Sequence, residues 1–251
     1  MKRSHKNSSF NKRNKNKKAD IKSPVSFWDQ EYQDHEYLAL SVEPAEDMQK
    51  FVRWLKREYT RDFPLKLGKS ACDIGCGNGR NIIHIVDSLK MKGVGFDISE
   101  QAIALANKNK EELNINLFVH KIQEFPYPIE DVSQTLVMDM MASHVLNKEE
   151  RQTLYGEVAR MLVPGGWYFY KTFLLDGDLN AKRMIEENPG PEPNSYIHSH
   201  IGHVEYVMDE EELLEDLESA GFYVHKVYKS HKHLINGRAA KRRTVSIYCQ
   251  K

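Results

Sequence analysis

The chain has 251 residues, of which 36 are Lys or Arg and 36 are Asp or Glu. This length suffices for one α/β domain with a buried core and is short for two domains. The sequence has no run of about 18 apolar residues, which excludes a membrane-spanning helix, and no apolar segment follows its charged start as in a signal peptide. We therefore predict a cytoplasmic protein without a membrane partner.

The balanced total charge conceals two basic segments. Residues 1–18 contain eight Lys or Arg and residues 226–243 contain seven, and neither segment has an acidic residue. The first 20 residues are rich in Lys, Asn and Ser, with Phe10 as their one aromatic residue, so they cannot bury enough apolar surface to fold. We predict a disordered basic tail over residues 1–24 and a folded domain over residues 25–251.

The predicted elements of the domain begin with an amphipathic helix after Pro44, where Met48, Phe51 and Leu55 recur at helical spacing. From residue 69 onward, strands and helices alternate. The five strands read KSACDI, GVGFDI, INLFVH, SQTLVMDM and GWYFYKTF. This alternation predicts a Rossmann-like, doubly wound α/β fold, whose sheet of seven strands is mostly parallel. Two further strands flank Asn236-Gly237, a hairpin signal, so the sheet should end in an antiparallel pair.

A long segment, residues 174–208, separates the fifth strand from the last helix. Connections beyond about 15 residues are usually functional or disordered. Because this one follows the carboxyl end of a strand, where open α/β sheets bind ligands, we predict a lid or substrate-selecting insertion. His198, His200 and His203 lie within it, but no cysteine or Glu-containing helical motif completes a metal site, so we predict no metal.

The clearest chemical signal is the loop DIGCGNGR, which follows the first strand. Gly75, Gly77 and Gly79 allow a tight turn and a close approach of backbone to a ligand. Asp97 ends the next strand about 20 residues later, the place where an acid binds the ribose hydroxyls of a nucleoside cofactor. The glycine spacing is GxGxG instead of the dinucleotide pattern GxGxxG, which favours a different adenosine ligand.

With these motifs the sequence resembles the class I S-adenosylmethionine-dependent methyltransferases. DIGCGNG is similar to their first motif, GFDIS to the acidic second motif, FPY to the stretch before the fourth strand and LVPGGWYFY to the turn into the fifth. The resemblance covers residues 68–173 and implies S-adenosylmethionine as the cofactor. It implies that Asp73, Gly75 and Gly77 face the methionine end, while Asp97 holds the ribose.

The same resemblance implies that Ile98 packs on the adenine. Lys121 stands where many relatives have an acid that meets the adenine amine, so Gln123 or a backbone group is expected to replace it. The implied cofactor-binding set is completed by three further residues, Cys76, Ile122 and Met138.

The acceptor side is predicted to use Asp139 and His144, which follow the fourth strand, and Lys171 on the fifth. The motif order with its long insertion looks most like relatives that methylate small molecules, so we predict a small-molecule acceptor. RNA is the alternative, because Asp139 and Lys171 match two members of the four-residue set of RNA ribose 2′-O-methyltransferases. The basic tail and C-terminal hairpin could then hold phosphates. A non-catalytic protein that binds S-adenosylmethionine is a further alternative.

Overall fold

The structure is a computed structural model that describes residues 23–34, 41–199, 201–230, 233–235, 238–240 and 242–251. The predicted basic tail lies outside the described residues except for its last two positions, and a helix begins at Pro24. His200 and the predicted Asn236-Gly237 turn also lie outside them.

The five parallel strands follow the predicted order, and further helices and short strands flank them. The helices are α1 (Pro24–Asp34), α2 (Glu46–Glu58), α3 (Arg80–Leu89), α4 (Glu100–Asn109), α5 (Lys148–Met161), α6 (Leu179–Glu187) and α7 (Glu210–Ser219), with a 3-10 helix at Ser143–Val145. The strands are β1 (Ser70–Ile74), β2 (Lys92–Asp97), β3 (Ile115–Val119), β4 (Gln134–Met140), β5 (Leu162–Phe173), β6 (Ser195–Ile197), β7 (Val204–Tyr206), β8 (Tyr223–Ser230), β9 (His233–Ile235), β10 (Arg238–Ala240) and β11 (Thr244–Gln250). None of the helices in the described part of the chain is long and apolar enough to cross a membrane.

The central sheet has seven strands in the order β3-β2-β1-β4-β5-β11-β8. The first five are parallel, and β11 runs antiparallel to both β5 and β8. The predicted Rossmann-like sheet with an antiparallel end is therefore confirmed. Strand order reverses between β1 and β4, and open α/β sheets bind ligands in the crevice at such a switch point.

Two apolar clusters cover the two faces of the sheet, as strand alternation requires. On one face Tyr168 and Tyr170 pack with residues of α5 and α7. On the other face Trp167 and Phe169 pack beneath α2 and α3, where Phe51 stacks on Phe169 with ring centroids 5.1 Å apart. The helix predicted after Pro44 thus contributes its apolar side to the core.

The long segment between β5 and α7 is folded. It contains α6 and the antiparallel pair β6–β7. Tyr196 of β6, Val207 and Ala181 form a small apolar cluster with Phe173 at the end of β5. This cluster attaches the insertion to the carboxyl end of the sheet.

A second small sheet precedes the last strand. The sequence predicts one hairpin around Asn236-Gly237, and the structure pairs β9 antiparallel with β10. This pair forms a sheet of its own, and β8 pairs separately with β11.

Candidate active site

The glycine loop between β1 and α3 lies at the switch point of the sheet. Gly75, Gly77 and Gly79 all have positive φ angles, of 64°, 54° and 79°, which favour glycine. A Cβ atom on Gly75 would lie 2.4 Å from the Cβ of Ala142, which follows β4. Only a glycine there lets the loop pack against the segment that carries the predicted acceptor residues.

Asp97 and the glycine loop are joined directly. The Gly77 N–H donates to Asp97 Oδ2 (2.9 Å), and the Ser99 N–H donates to Asp97 Oδ1 (3.0 Å). Burial raises the pKa of Asp97, and these two backbone hydrogen bonds oppose the rise. Each carboxylate oxygen keeps a further lone pair, so the fixed side chain can still accept hydrogen bonds from ribose hydroxyls.

Asp73 lies at the base of the same loop with an unsatisfied carboxylate. Its side chain is 2% exposed, and Oδ2 has no hydrogen-bond partner among the described residues. Burial raises its pKa to about 8; Arg80 opposes this rise, and Asp139 and Asp97 add to it. A buried carboxyl oxygen without a partner is costly, so the site favours a ligand that brings a cation or donor to Oδ2. The ammonium group of S-adenosylmethionine fits this requirement.

Helix α1 covers the glycine loop, which the sequence did not predict. A Cβ atom on Gly77 would lie 2.3 Å from the Tyr32 hydroxyl, so this side chain rests on the bare backbone. Asp29 Oδ1 accepts a hydrogen bond from Ser99 Oγ (2.6 Å), which ties α1 to the start of α4. Burial and the charge of Asp97 raise the pKa of Tyr32, so its hydroxyl stays a neutral donor.

The loop after β3 lies beside Asp97, because the His120 N–H donates to the Asp97 carbonyl (2.9 Å). Ile122 on this loop is half-buried, and its carbonyl accepts from the Tyr127 hydroxyl (2.8 Å), while Gln123 is exposed. Lys121 pairs with Glu124 at 2.7 Å.

The remaining predicted cofactor residues differ in their exposure. Ile98, next to Asp97, is half-buried, and Cys76 is buried within the glycine loop. The Met138 side chain is fully buried in the apolar cluster beneath α2. Strand alternation turns this side chain to the α2 face, and the prediction that Met138 binds the cofactor stays a prediction.

Asp139 holds the turn that carries His144. Asp139 Oδ1 accepts hydrogen bonds from the N–H groups of Ala142 and Ser143, both at 3.2 Å. The Tyr168 hydroxyl donates to Oδ2 at 3.4 Å. The carboxylate is fully buried, which raises its pKa. Its hydrogen bonds hold the turn after β4 in place.

His144 is brought against the insertion. Its Nε2 lies 3.8 Å from Glu205 Oε1, and its ring meets Phe173 edge-on with centroids 5.2 Å apart. Its Nδ1 is buried and has no partner in the part of the chain that the structure describes. Glu205 was not predicted. Burial alone would raise the pKa of Glu205, but its interactions with His144 and Tyr196 lower it to about 2.

A buried polar network supports Glu205 from the other side. The Tyr196 hydroxyl donates to Glu205, and Arg242 Nη1 donates to the Tyr196 oxygen (2.8 Å). Arg242 Nε in turn pairs with Asp178 Oδ2 (3.1 Å), and its guanidinium lies 3.8 Å from the Phe173 ring centroid. The insertion and the segment before β11 therefore fix the carboxylate that faces His144.

Lys171 lies on the opposite face of the sheet. Its Nζ is 2.5 Å from Asp47 Oδ2 on α2, whereas the Tyr168 hydroxyl on the other face meets Asp139. The structure thus does not bring Lys171 together with Asp139 or His144. Among the residues it describes, no three His, Cys, Asp or Glu side chains converge as metal ligands.

Comparison with known proteins identifies similar chains. Residues 71–166 match the family model of a methyltransferase domain. The chain is 28% identical over 163 residues to 27-O-demethylrifamycin SV methyltransferase of Amycolatopsis mediterranei, which covers 61% of this chain and 58% of that protein. It is 25% identical over 178 residues to phosphoethanolamine N-methyltransferase 1 of Triticum aestivum, which covers 68% of this chain and 34% of that protein.

The match therefore spans less than two thirds of the length of either relative. Among solved structures, an S-adenosylmethionine-dependent methyltransferase of Methanosarcina mazei has a TM-score of 0.64 at 20% identity. That alignment covers 74% of this chain and 93% of the other. At this identity the structural likeness concerns the fold.

Proposed function

We propose that the chain is a class I S-adenosylmethionine-dependent methyltransferase, which methylates a small-molecule acceptor and releases S-adenosylhomocysteine. The observation that supports a small-molecule acceptor is the burial of His144 beneath the insertion. The insertion covers the carboxyl end of the sheet and leaves His144 and Glu205 only 8% and 7% exposed. Acceptor-side residues that lie beneath an insertion suit a small acceptor better than a polymer. Both curated relatives are also named for small-molecule acceptors.

The cofactor side of the proposal rests on two carboxylates and the glycine loop. S-adenosylmethionine supplies an activated methyl group, so the protein has to align the acceptor and exclude water. Asp97, held by Gly77 and Ser99, binds the ribose hydroxyls. Asp73 holds the ammonium group with its unpartnered oxygen. The Tyr32 hydroxyl lies against Gly77 and covers this part of the loop.

The acceptor side uses His144 as the general base. With its Nε2–H directed to Glu205, the neutral imidazole presents a lone pair at Nδ1, the nitrogen without a partner within the described residues. The acceptor transfers its proton to Nδ1, and Glu205 stabilises the resulting imidazolium. Asp139 positions the turn, so we assign it no direct contact with the acceptor. Lys171 is likewise left out of the reaction. The proposal places the enzyme in the cytoplasm, where its three free, buried cysteines stay reduced.

The experiment that tests the acceptor class follows a labelled methyl group from S-adenosylmethionine into a cell extract, with and without ribonuclease. We expect label in the small-molecule fraction that ribonuclease does not remove. The Asp97→Ala variant is the control for cofactor-dependent transfer. If ribonuclease removes the label, the acceptor is RNA and the small-molecule proposal is wrong. If the wild-type chain binds the cofactor but transfers no label, the protein is a non-catalytic binding protein.

A further inference from the structure

A groove lies between α2 and the strands β8 and β11, on the face of the sheet that α2 covers. Its volume is ≈ 530 Å³, within the range of pockets that hold small ligands. Five of its lining side chains are cationic, namely Lys50, Arg53, Lys56, Arg57 and Lys229, and one, Asp47, is anionic. We call this the α2 groove. It belongs neither to the glycine loop nor to the His144 site.

Three of the five cations have no acidic partner. Lys50 pairs with Glu46 at 3.0 Å, and Lys229 pairs with Glu210. The other three, Arg53, Lys56 and Arg57, form no ion pair with any described residue, and their side chains are exposed. The acid in the groove, Asp47, is already neutralised by Lys171.

The three unpaired cations share one side of α2. Their spacing of three and four residues places them next to one another, and like charges at this spacing destabilise a helix. Burial raises the pKa of Tyr248 at the floor of the groove, and the charges of Arg53 and Arg57 oppose that rise, so both guanidinium groups lie near its hydroxyl. An anion in the α2 groove would remove this repulsion.

Aromatic groups complete the α2 groove. Tyr228 on β8 is 48% exposed, and its ring centroid lies 5.2 Å from that of Tyr248. The Trp54 Nε1 donor, which is buried, has no acceptor among the described residues. Cations beside an exposed aromatic ring are the combination that binds phosphates and stacks bases. Lysines on an edge strand such as β8 also discourage strand pairing, but that does not explain the arginines of α2.

We propose that the α2 groove binds a phosphorylated nucleoside unit, with its phosphates against Arg53, Lys56 and Arg57 and its base on Tyr228. The planar guanidinium groups match phosphate oxygens in pairs. A free nucleotide and a nucleotide within an RNA strand present the same chemistry to this surface. The proposal is independent of the methyl acceptor, because it uses none of the residues assigned to the cofactor or to His144.

The test uses the full-length chain saturated with S-adenosylhomocysteine, so that the adenosine site is occupied. The probes are cytidine triphosphate and a fluorescent single-stranded RNA of 12 nucleotides. The variant Arg53→Gln/Arg57→Gln should bind at least one probe about 10-fold more weakly, because two charge-assisted contacts are lost. For the RNA, the slope of log K against log salt should fall by about 1.4. Tyr228→Leu should weaken the same probe without changing the salt slope.

The matched control is Lys66→Gln/Lys108→Gln, which removes two exposed cations outside the α2 groove. Its affinity should stay within about twofold of the wild type, and all variants should bind S-adenosylhomocysteine equally. If the arginine variant binds both probes more weakly, the α2 groove accepts free nucleotides. If it binds only the RNA more weakly, the natural ligand is a nucleotide within an RNA strand. Equal losses in the control, no loss in the arginine variant or no effect of Tyr228→Leu would overturn the proposal.

Discussion

Replacing Asp73 with Asn should change stability and cofactor binding in opposite directions. The buried carboxyl group has a pKa of about 8 in the fold against an ordinary value of 3.8. Since the folded value is the higher one, ionisation opposes folding, and this penalty grows as pH rises from about 4 to 8. At pH 7 it is on the order of 4 kcal/mol.

The Asp73→Asn variant carries no such penalty. Its free energy of unfolding in urea, without ligand, should therefore exceed that of the wild type at pH 7–8, and the difference should vanish near pH 4. The exposed acid Asp87 in α3 gives a control, since Asp87→Asn should show neither the gain nor its pH dependence.

The same substitution, Asp73→Asn, should weaken the binding of S-adenosylhomocysteine. At pH 7 most of the Asp73 carboxyl groups are protonated in the free protein, so capture of an ammonium group should release about one proton. Wild-type affinity for S-adenosylhomocysteine should rise about 10-fold from pH 6 to 7 and level off above pH 8. At pH 8 the variant should bind S-adenosylhomocysteine roughly 10- to 100-fold more weakly than the wild type. This factor corresponds to the free energy of one hydrogen bond to a charged group.

Calorimetry in two buffers of different ionisation enthalpy measures the released proton. Equal proton release by the wild type and Asp73→Asn would refute the assignment of Asp73 to the ammonium group. A variant less stable than the wild type at pH 8 would refute the reasoning about its burial.

Three further substitutions probe the rest of the site. Asp97→Ala should reduce affinity for S-adenosylhomocysteine at least ~10-fold by calorimetry, and unchanged binding would mean that the ribose contact is misplaced. Gly77→Ala should weaken binding and lower stability by ~1 kcal/mol or more, because its Cβ meets the Tyr32 hydroxyl at a positive φ. The double variant with Tyr32→Ala should recover part of both losses, and strict additivity would contradict the contact. Arg242→Met should destabilise the fold by ~1.5–3 kcal/mol in urea, because Asp178 loses its cation and keeps only backbone N–H donors. A loss below ~1 kcal/mol would contradict a stabilising role of this ion pair.

Local sequence patterns were sufficient to predict the sheet. They were also sufficient to predict that the glycine loop and Asp97 lie side by side. The glycine loop and Asp97 each end a strand, and parallel strands place their carboxyl ends at one edge, so their meeting follows from the strand order. The contact between Tyr32 and Gly77 and that between His144 and Glu205 join distant parts of the chain. No periodicity or turn signal specifies such contacts, so α1 and the insertion could be predicted as ordered or functional but not placed.

Strand alternation separates two of the predicted site residues, Met138 and Lys171, from Asp139. Met138 and Asp139 are neighbours on β4, so their side chains point to opposite faces, and only Asp139 faces the turn that carries His144. Lys171 likewise follows Tyr170 on β5 and turns toward α2, where Asp47 pairs with it. The alternation of side chains along both strands predicts these opposite faces from the sequence alone.

The most direct test of the cofactor site titrates the full-length chain with S-adenosylhomocysteine and, in parallel, with NAD. The GxGxG loop, the unpartnered Asp73 oxygen and the fixed Asp97 carboxylate predict saturable binding of one S-adenosylhomocysteine per chain and no measurable binding of NAD. Tighter binding of NAD, or no binding of S-adenosylhomocysteine, would contradict the account.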